Sequence, residues 1–176
     1  MKRDSKRKTG QDILMTTVVA AYIILLLSML FLREHAVDSY NLVPFRFVKD
    51  YIIDRGVLAF YNIVGNIVVF IPGGVYLALL NRNEKTLVNT AYIAAFSLEV
   101  ELIQYMTNRG VADIDDLMLN TLGGLLGIYL LRRLERRFGE RTRKAVIIIS
   151  LVTGALFAAL YLALYYGVFG IRIRIF

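Results

Sequence analysis

The sequence predicts an all-α, multi-span helical membrane protein with about five transmembrane helices and a cytoplasmic amino terminus. Three observations carry that expectation. Hydrophobic residues make up 57% of the 176 residues, above the roughly 45 to 50% apolar share of soluble domains, and mean hydropathy is +0.58. The excess is gathered into stretches of about 18 to 24 mostly apolar residues, each able to cross ~30 Å of hydrocarbon as a helix; a β-barrel or a disordered chain shows no such pattern. The basic residues also segregate to one side of those stretches. The length suits a single domain, and the absence of cysteine excludes disulfides, thiolate nucleophiles and Cys-ligated metals.

Residues 1–12 form a basic tail containing Lys2, Arg3, Lys6, Arg7 and Lys8, followed by a first span over 13–32. A basic start before an apolar run resembles a signal peptide. However, the run is long for an h-region, and Phe31-Leu32-Arg33-Glu34 offers no small-x-small cleavage site, which favours an uncleaved anchor. Further spans are expected over 58–80, 87–106, 114–131 and 146–169. The core is then 33–131, followed by a basic cytoplasmic loop over 132–145 and by a last span with an outer tail over 146–176. With the amino terminus inside, 14 of the 21 lysines and arginines fall on the cytoplasmic side, as the positive-inside rule requires. The net charge of +7 thus reflects membrane topology, and no nucleic-acid partner is expected.

The run Arg132, Arg133, Arg136, Arg137, Arg141, Arg143 and Lys144 could attract anionic lipid head groups, but a stop-transfer signal is the favoured reading. In the outer loop, Phe47, Val48, Tyr51 and Ile52 fall at helical spacing against Lys49, Asp50 and Asp54. This predicts a short helix at the outer interface with Pro44 in its first turn. Pro72 reads as a kink, His35 as an interfacial residue rather than a ligand, and 171–176 as an interfacial tail.

Polar side chains inside the spans are costly there, so their placement is informative. At 100° per residue, Asp113, Asp116, Asn120, Gly123, Gly124 and Gly127 share a stripe about 100° wide. Within it, Gly123-x-x-x-Gly127 allows close approach of a neighbouring helix. Ser97, Glu101, Gln104 and Asn108 form a similar stripe on the third span, and Asn62 and Asn66 share one face of the second. The simplest arrangement brings Asn62, Asn66, Glu101, Gln104, Asp113, Asp116 and Asn120 into one polar cluster below the outer surface. Glu99 points nearly opposite Glu101 and needs a separate partner, a water path or a proton.

These residues resemble the VanZ-like family of small bacterial membrane proteins, named for a protein associated with resistance to the glycopeptide teicoplanin. The resemblance rests on Asn41-Leu42-Val43-Pro44-Phe45 in the outer loop and on Asn62-Ile63-Val64-Gly65-Asn66-Ile67-Val68-Val69-Phe70-Ile71-Pro72-Gly73-Gly74 in the second span. It continues through Ser97-Leu98-Glu99-Val100-Glu101-Leu102-Ile103-Gln104, Arg109, Asp113-Ile114-Asp115-Asp116 and Asn120-Thr121-Leu122-Gly123-Gly124. Two departures are Glu99, an acid beside the motif acid Glu101, and Ala112 before Asp113. The resemblance implies a cell-envelope protein of the bacterial membrane with a link to glycopeptide susceptibility, and it brings Asn41 among the candidate site residues.

Three functions follow as expectations. The first is an envelope protein with a polar pocket near the outer leaflet, facing membrane lipids, lipid-linked precursors or glycopeptide. The second is an enzyme on a lipid-linked substrate, with Glu101 and Asp116 as an acid/base pair and Arg46 and Arg109 gripping an anionic group. In both, Asn41, Asn62, Asn66, Gln104, Asp113 and Asn120 complete the binding surface. The third is a small transporter or lipid translocase using Glu99 as a proton relay. Asp113, Asp116 and Glu101 could hold a hard cation, but no metal-loop spacing supports it, and neither metal nor cofactor is expected. The architectural reading makes Asp113 the N-cap of the fourth span, with Asp116 at N3, Glu101 paired to Arg109, and the amides bonding between helices.

Overall fold

The computed structural model describes residues 2–31, 40–52, 56–82, 84–107 and 112–165. Its elements are α1 (Lys2–Phe31), β1 (Tyr40–Asn41), α2 (Arg46–Ile52), α3 (Val57–Leu80), α4 (Thr86–Met106), β2 (Ala112–Asp113), α5 (Ile114–Phe138) and α6 (Arg141–Tyr165). The fold is all-α apart from one two-residue parallel pairing, which sets Tyr40 opposite Ala112 and Asn41 opposite Asp113. Among the described residues, Gly10–Ser28, Phe60–Leu80, Thr86–Met106 and Ile114–Phe138 are long and apolar enough to cross a membrane. The fifth expected span falls in α6, and its last residues, 166–169, lie outside the described residues, as do His35 and the tail 171–176.

Hydropathy placed the starts of α3, α4 and α5 within a residue, but not every helix end. The stretch 132–145, expected as a loop, is helical except for a turn at Gly139 and Glu140, and α1 already begins at Lys2 in the expected tail. Hydropathy marks where lipid contact ends. Arginine and lysine are good helix formers, so the backbone continues past that point. Arg136 and Arg137 occupy the last turn of α5, where cations complement the helix dipole. Gly139, at φ +56°, then closes α5 with its N–H on the Glu135 carbonyl at 2.8 Å.

The chain divides into two compact units. One holds α1 up to Ala20 together with α6. There Met15, Val18, Thr142, Val146 and Ile147 are buried, and Arg143 Nη2 donates to Asp12 Oδ1 at 2.6 Å.

The other unit, Ala21–Gly139, holds the candidate site. Its centre is the packing of α5 against α3 and α4. The expected close approach at Gly123-x-x-x-Gly127 is present, and the neighbour is α3. A Cβ on Gly123 would collide with the Ile67 carbonyl, one on Gly127 with the Ile71 carbonyl, and one on Gly74 with the Gly124 carbonyl. In an apolar solvent there is no hydrophobic drive between helices, so backbone-to-backbone packing of this kind supplies the association. Ile128 and Leu131 continue the buried face of α5, fully shielded.

α3 runs unbroken through Pro72, which has no N–H for the Val68 carbonyl one turn earlier. The Tyr22 hydroxyl docks in this turn, donating to the Val69 carbonyl at 2.9 Å, and its ring meets Tyr76 edge-on at 5.3 Å. At the far end of α3, Arg82 pairs with Glu135 at 2.8 Å, and Arg132 Nη2 donates to the Glu84 carbonyl at 2.6 Å.

The segment before α3 departs from expectation in one respect. Pro44 precedes α2 in a turn rather than standing in its first turn, because Phe45 adopts φ +64°, outside helical geometry. The helix starts only at Arg46.

Candidate functional site

The site is assembled around the first turn of α5. Asp113 is extended (φ −122°, ψ 120°), and its Oδ1 accepts the Asp115 N–H at 2.8 Å, the N-cap geometry that occupies one of the free amides of a helix start. The same oxygen accepts Asn41 Nδ2 at 2.9 Å. Asn41 Oδ1 in turn accepts the Val43 N–H at 3.2 Å, an Asx-type closure of the turn that follows β1. One amide side chain thus ties the 40–43 segment both to itself and to the cap of α5.

Asp115 and Asp116 reach in different directions from that turn. Asp115 is 4% exposed, and its two oxygens accept the N–H groups of Phe45 at 2.6 Å and Phe47 at 3.0 Å. Asp116 Oδ1 accepts Asn66 Nδ2 of α3 at 2.5 Å. From α4, the buried Glu101 accepts the Asp113 N–H on Oε2 at 3.1 Å. Farther along α5, Asn120 Nδ2 donates to Ser97 Oγ at 3.0 Å, both residues being buried. Hydrogen bonds from an amide to a carboxylate are roughly twice as strong as neutral ones, and they are directional. The arrangement can therefore fix a loop and three helices relative to one another.

Of the residues the sequence singled out, the structure joins Asn41, Asn66, Glu101, Asp113 and Asp116 in this junction, with Asn120 deeper on Ser97. Gln104 is buried on the same face of α4 as Glu101. Asn62 is exposed on α3 and, among the described residues, makes no hydrogen bond to the others, so the cluster on that helix rests on Asn66. Arg46 is exposed at the start of α2, and Glu99 is exposed while its neighbour Glu101 is buried. Arg109, the expected partner of Glu101, lies outside the described residues, as does Asn108. Among the described residues, no group of three or more histidines or carboxylates is placed to hold a metal ion.

Sequence reasoning missed two residues. Asp115 falls about 200° from Asp113 on the helix and so left the polar stripe. The signal that could have found it is its place at N2 of a capped helix, aimed away from the bundle and toward the loop that must fold back there. Asn89 was also missed. It is fully buried on the stripe of α4 that carries Ile93, Ser97, Glu101 and Gln104. Neither of its side-chain atoms has a hydrogen-bond partner among the described residues.

The VanZ/LLP1 family model matches residues 16–135, a span that contains every residue of this junction. The chain belongs to the VanZ/LLP1 family. Over 110 residues it is 30% identical to Protein VanZ of Enterococcus faecium, a match covering 62% of this chain and 63% of that relative. The chain thus aligns with less than two thirds of that protein's length. No solved structure matches the chain. Family membership and the apolar helices make this a bacterial membrane protein. α6 lies beyond the matched span.

Proposed function

We propose that this protein works in the bacterial cell membrane as an envelope protein that lowers susceptibility to glycopeptide antibiotics of the teicoplanin type. Its working part is the carboxylate–amide junction at the start of α5. The observation that carries this reading is the convergence of Asn41, Asn66, Glu101, Asp113, Asp115 and Asp116, from one loop and three helices, at one end of the bundle. The excess of basic residues at the opposite end of the spans supports placing the junction at the outer leaflet. A glycopeptide, too large and polar to enter the bilayer, meets the head groups of lipid-linked precursors there. The junction shapes the surface they encounter, and membrane lipids and those precursors are its partners.

The test is teicoplanin susceptibility in cells carrying an empty vector, the wild-type protein, Asp115→Asn, Asp116→Asn or Glu101→Gln at equal membrane abundance. Wild type is expected to raise the inhibitory concentration several-fold, and the variants to return it toward the vector value. Equal values for wild type and vector would sink the proposal. If Glu101→Gln and Asp116→Asn lose protection while the purified variants unfold at the wild-type temperature, the two acids act in chemistry, and the enzyme reading replaces the architectural one.

A further inference from the structure

We propose that the turn over 42–45 and the start of α2 form a membrane-surface anchor: Leu42, Val43, Phe45 and Val48 enter the acyl boundary while Arg46 and Lys49 meet anionic phospholipid head groups. Depth is the first argument. The Phe45 and Phe47 amides are bonded to Asp115, and Asn41 to Asp113, so this segment is held level with the first turn of α5. The uncharged part of α5, 117–131, is 15 residues long, about 22 Å at helical rise and so shorter than ~30 Å of hydrocarbon. The first turn of α5 therefore lies at the hydrocarbon boundary, and the bonded turn lies there with it.

Composition and conformation are the second and third arguments. Leu42, Val43 and Phe45 are 66%, 65% and 57% exposed, and Val48 is also exposed. Four apolar residues in seven positions are thus turned outward beside two exposed basic ones. An apolar surface flanked by lysine and arginine is the pattern of interfacial anchoring to anionic lipid. Phe45 is moreover the one non-glycine residue with positive φ among the described residues, at +64°. No burial of its own ring rewards that strain. The two N–H bonds to Asp115, flanking Arg46, hold the backbone in it, and strain kept in place by its surroundings marks a position with a task.

The inference does not depend on a role in glycopeptide susceptibility, and its test uses a different readout. The sequence has no tryptophan, so Phe45→Trp and, separately, Leu42→Trp each give the full chain a single tryptophan, excited at the red edge of its absorption where the tyrosines do not absorb. Each variant is reconstituted into phosphatidylcholine/phosphatidylglycerol vesicles containing lipid brominated near the head or near the end of its acyl chains. Strong quenching by the shallow bromines, weak quenching by the deep ones and poor access to acrylamide are expected for both variants. Adding Asp115→Asn should reduce shallow quenching and raise acrylamide access. Acrylamide quenching like that of a free indole, with no bromolipid effect, would overturn the anchor. So would protection from both quenchers: protection that relaxes on dilution in lipid means that a second copy covers the turn, and protection that persists means that the protein itself does.

Discussion

The two ends of α5 carry opposite charges, each matched to the helix dipole, yet they do different work. At the start, Asp115 is buried and Asp116 partly so, and both accept N–H groups from other elements. At the finish, Arg133, Arg136 and Arg137 are exposed, and Glu135 holds Arg82 at the surface. The difference teaches that charge specifies structure here only where burial removes the alternative of water. A buried carboxylate must have donors at fixed positions, whereas an exposed arginine needs only to remain on its side of the membrane.

The largest effect should come from the buried half of the helix. In Gly123→Leu the new side chain meets the Ile67 backbone, which has no rotamer to yield, so α3 and α5 must separate. The expected outcome is failure to accumulate in the membrane. Gly65→Ala is the contrasting case: nothing lies within 4 Å of a Cβ there, and replacing a helical glycine should stabilise by roughly 0.5–1 kcal/mol. Abundance in the membrane fraction, compared with wild type, measures the first, and thermal unfolding in detergent measures the second. Similar behaviour of the two variants would mean that the glycine seam does not hold the bundle.

Asp115→Asn comes next. The amide keeps one acceptor oxygen and turns an NH₂ toward a second N–H donor, so one of the bonds to Phe45 and Phe47 is lost and a repulsive contact replaces it. The expected loss is about 2–4 kcal/mol, with protease cleavage in the 42–48 segment appearing well below the temperature at which the helices unfold. Asp113→Asn should cost less, about 1 kcal/mol, because asparagine also serves as an N-cap.

Asn89 sharpens the contrast from the other side, as a buried polar group with no hydrogen-bond partner among the described residues. Asn89→Leu, close in volume and free of polar atoms, is expected to raise stability by about 1–2 kcal/mol. Asn120→Leu should instead destabilise, because it removes the donor to Ser97. A lower unfolding temperature for Asn89→Leu would mean that this amide is bonded in the membrane.

The helices were legible because a bilayer demands long apolar runs, and Leu80, Met106 and Ile114 mark expected boundaries that the structure reproduces. Helical periodicity likewise puts Asn66, Glu101, Asp113 and Asp116 on the polar faces of their own helices, and the simplest packing of those faces brings them together. Periodicity describes one helix at a time, however. It cannot say that the 40–47 segment folds back on α5, since that depends on backbone amides no side-chain pattern reveals. Asp115 was missed for that reason, and so were the β1–β2 pairing and the conformation of Phe45. Asn62 shows the reverse error: four residues from Asn66 it shares a face, but it lies one turn farther from the contact with α5 and ends exposed.

The smallest effect is expected at the exposed end. Arg82 and Glu135 make a well-formed pair, with Nη2 and Nε of the guanidinium both on Oε1 at 2.8 and 2.9 Å, but their side chains are 45% and 25% exposed. Water and salt screen such a pair, and holding two long side chains in one geometry costs entropy, so Arg82→Gln should change stability by no more than about 1 kcal/mol. The comparison becomes quantitative if the same measurement is repeated at high salt. The small Arg82→Gln effect should vanish there, while the Asp115→Asn loss, arising where neither ions nor water reach, should persist. If Arg82→Gln proved as damaging as Asp115→Asn and equally indifferent to salt, the two ends of α5 would be alike, and burial would not be what divides them.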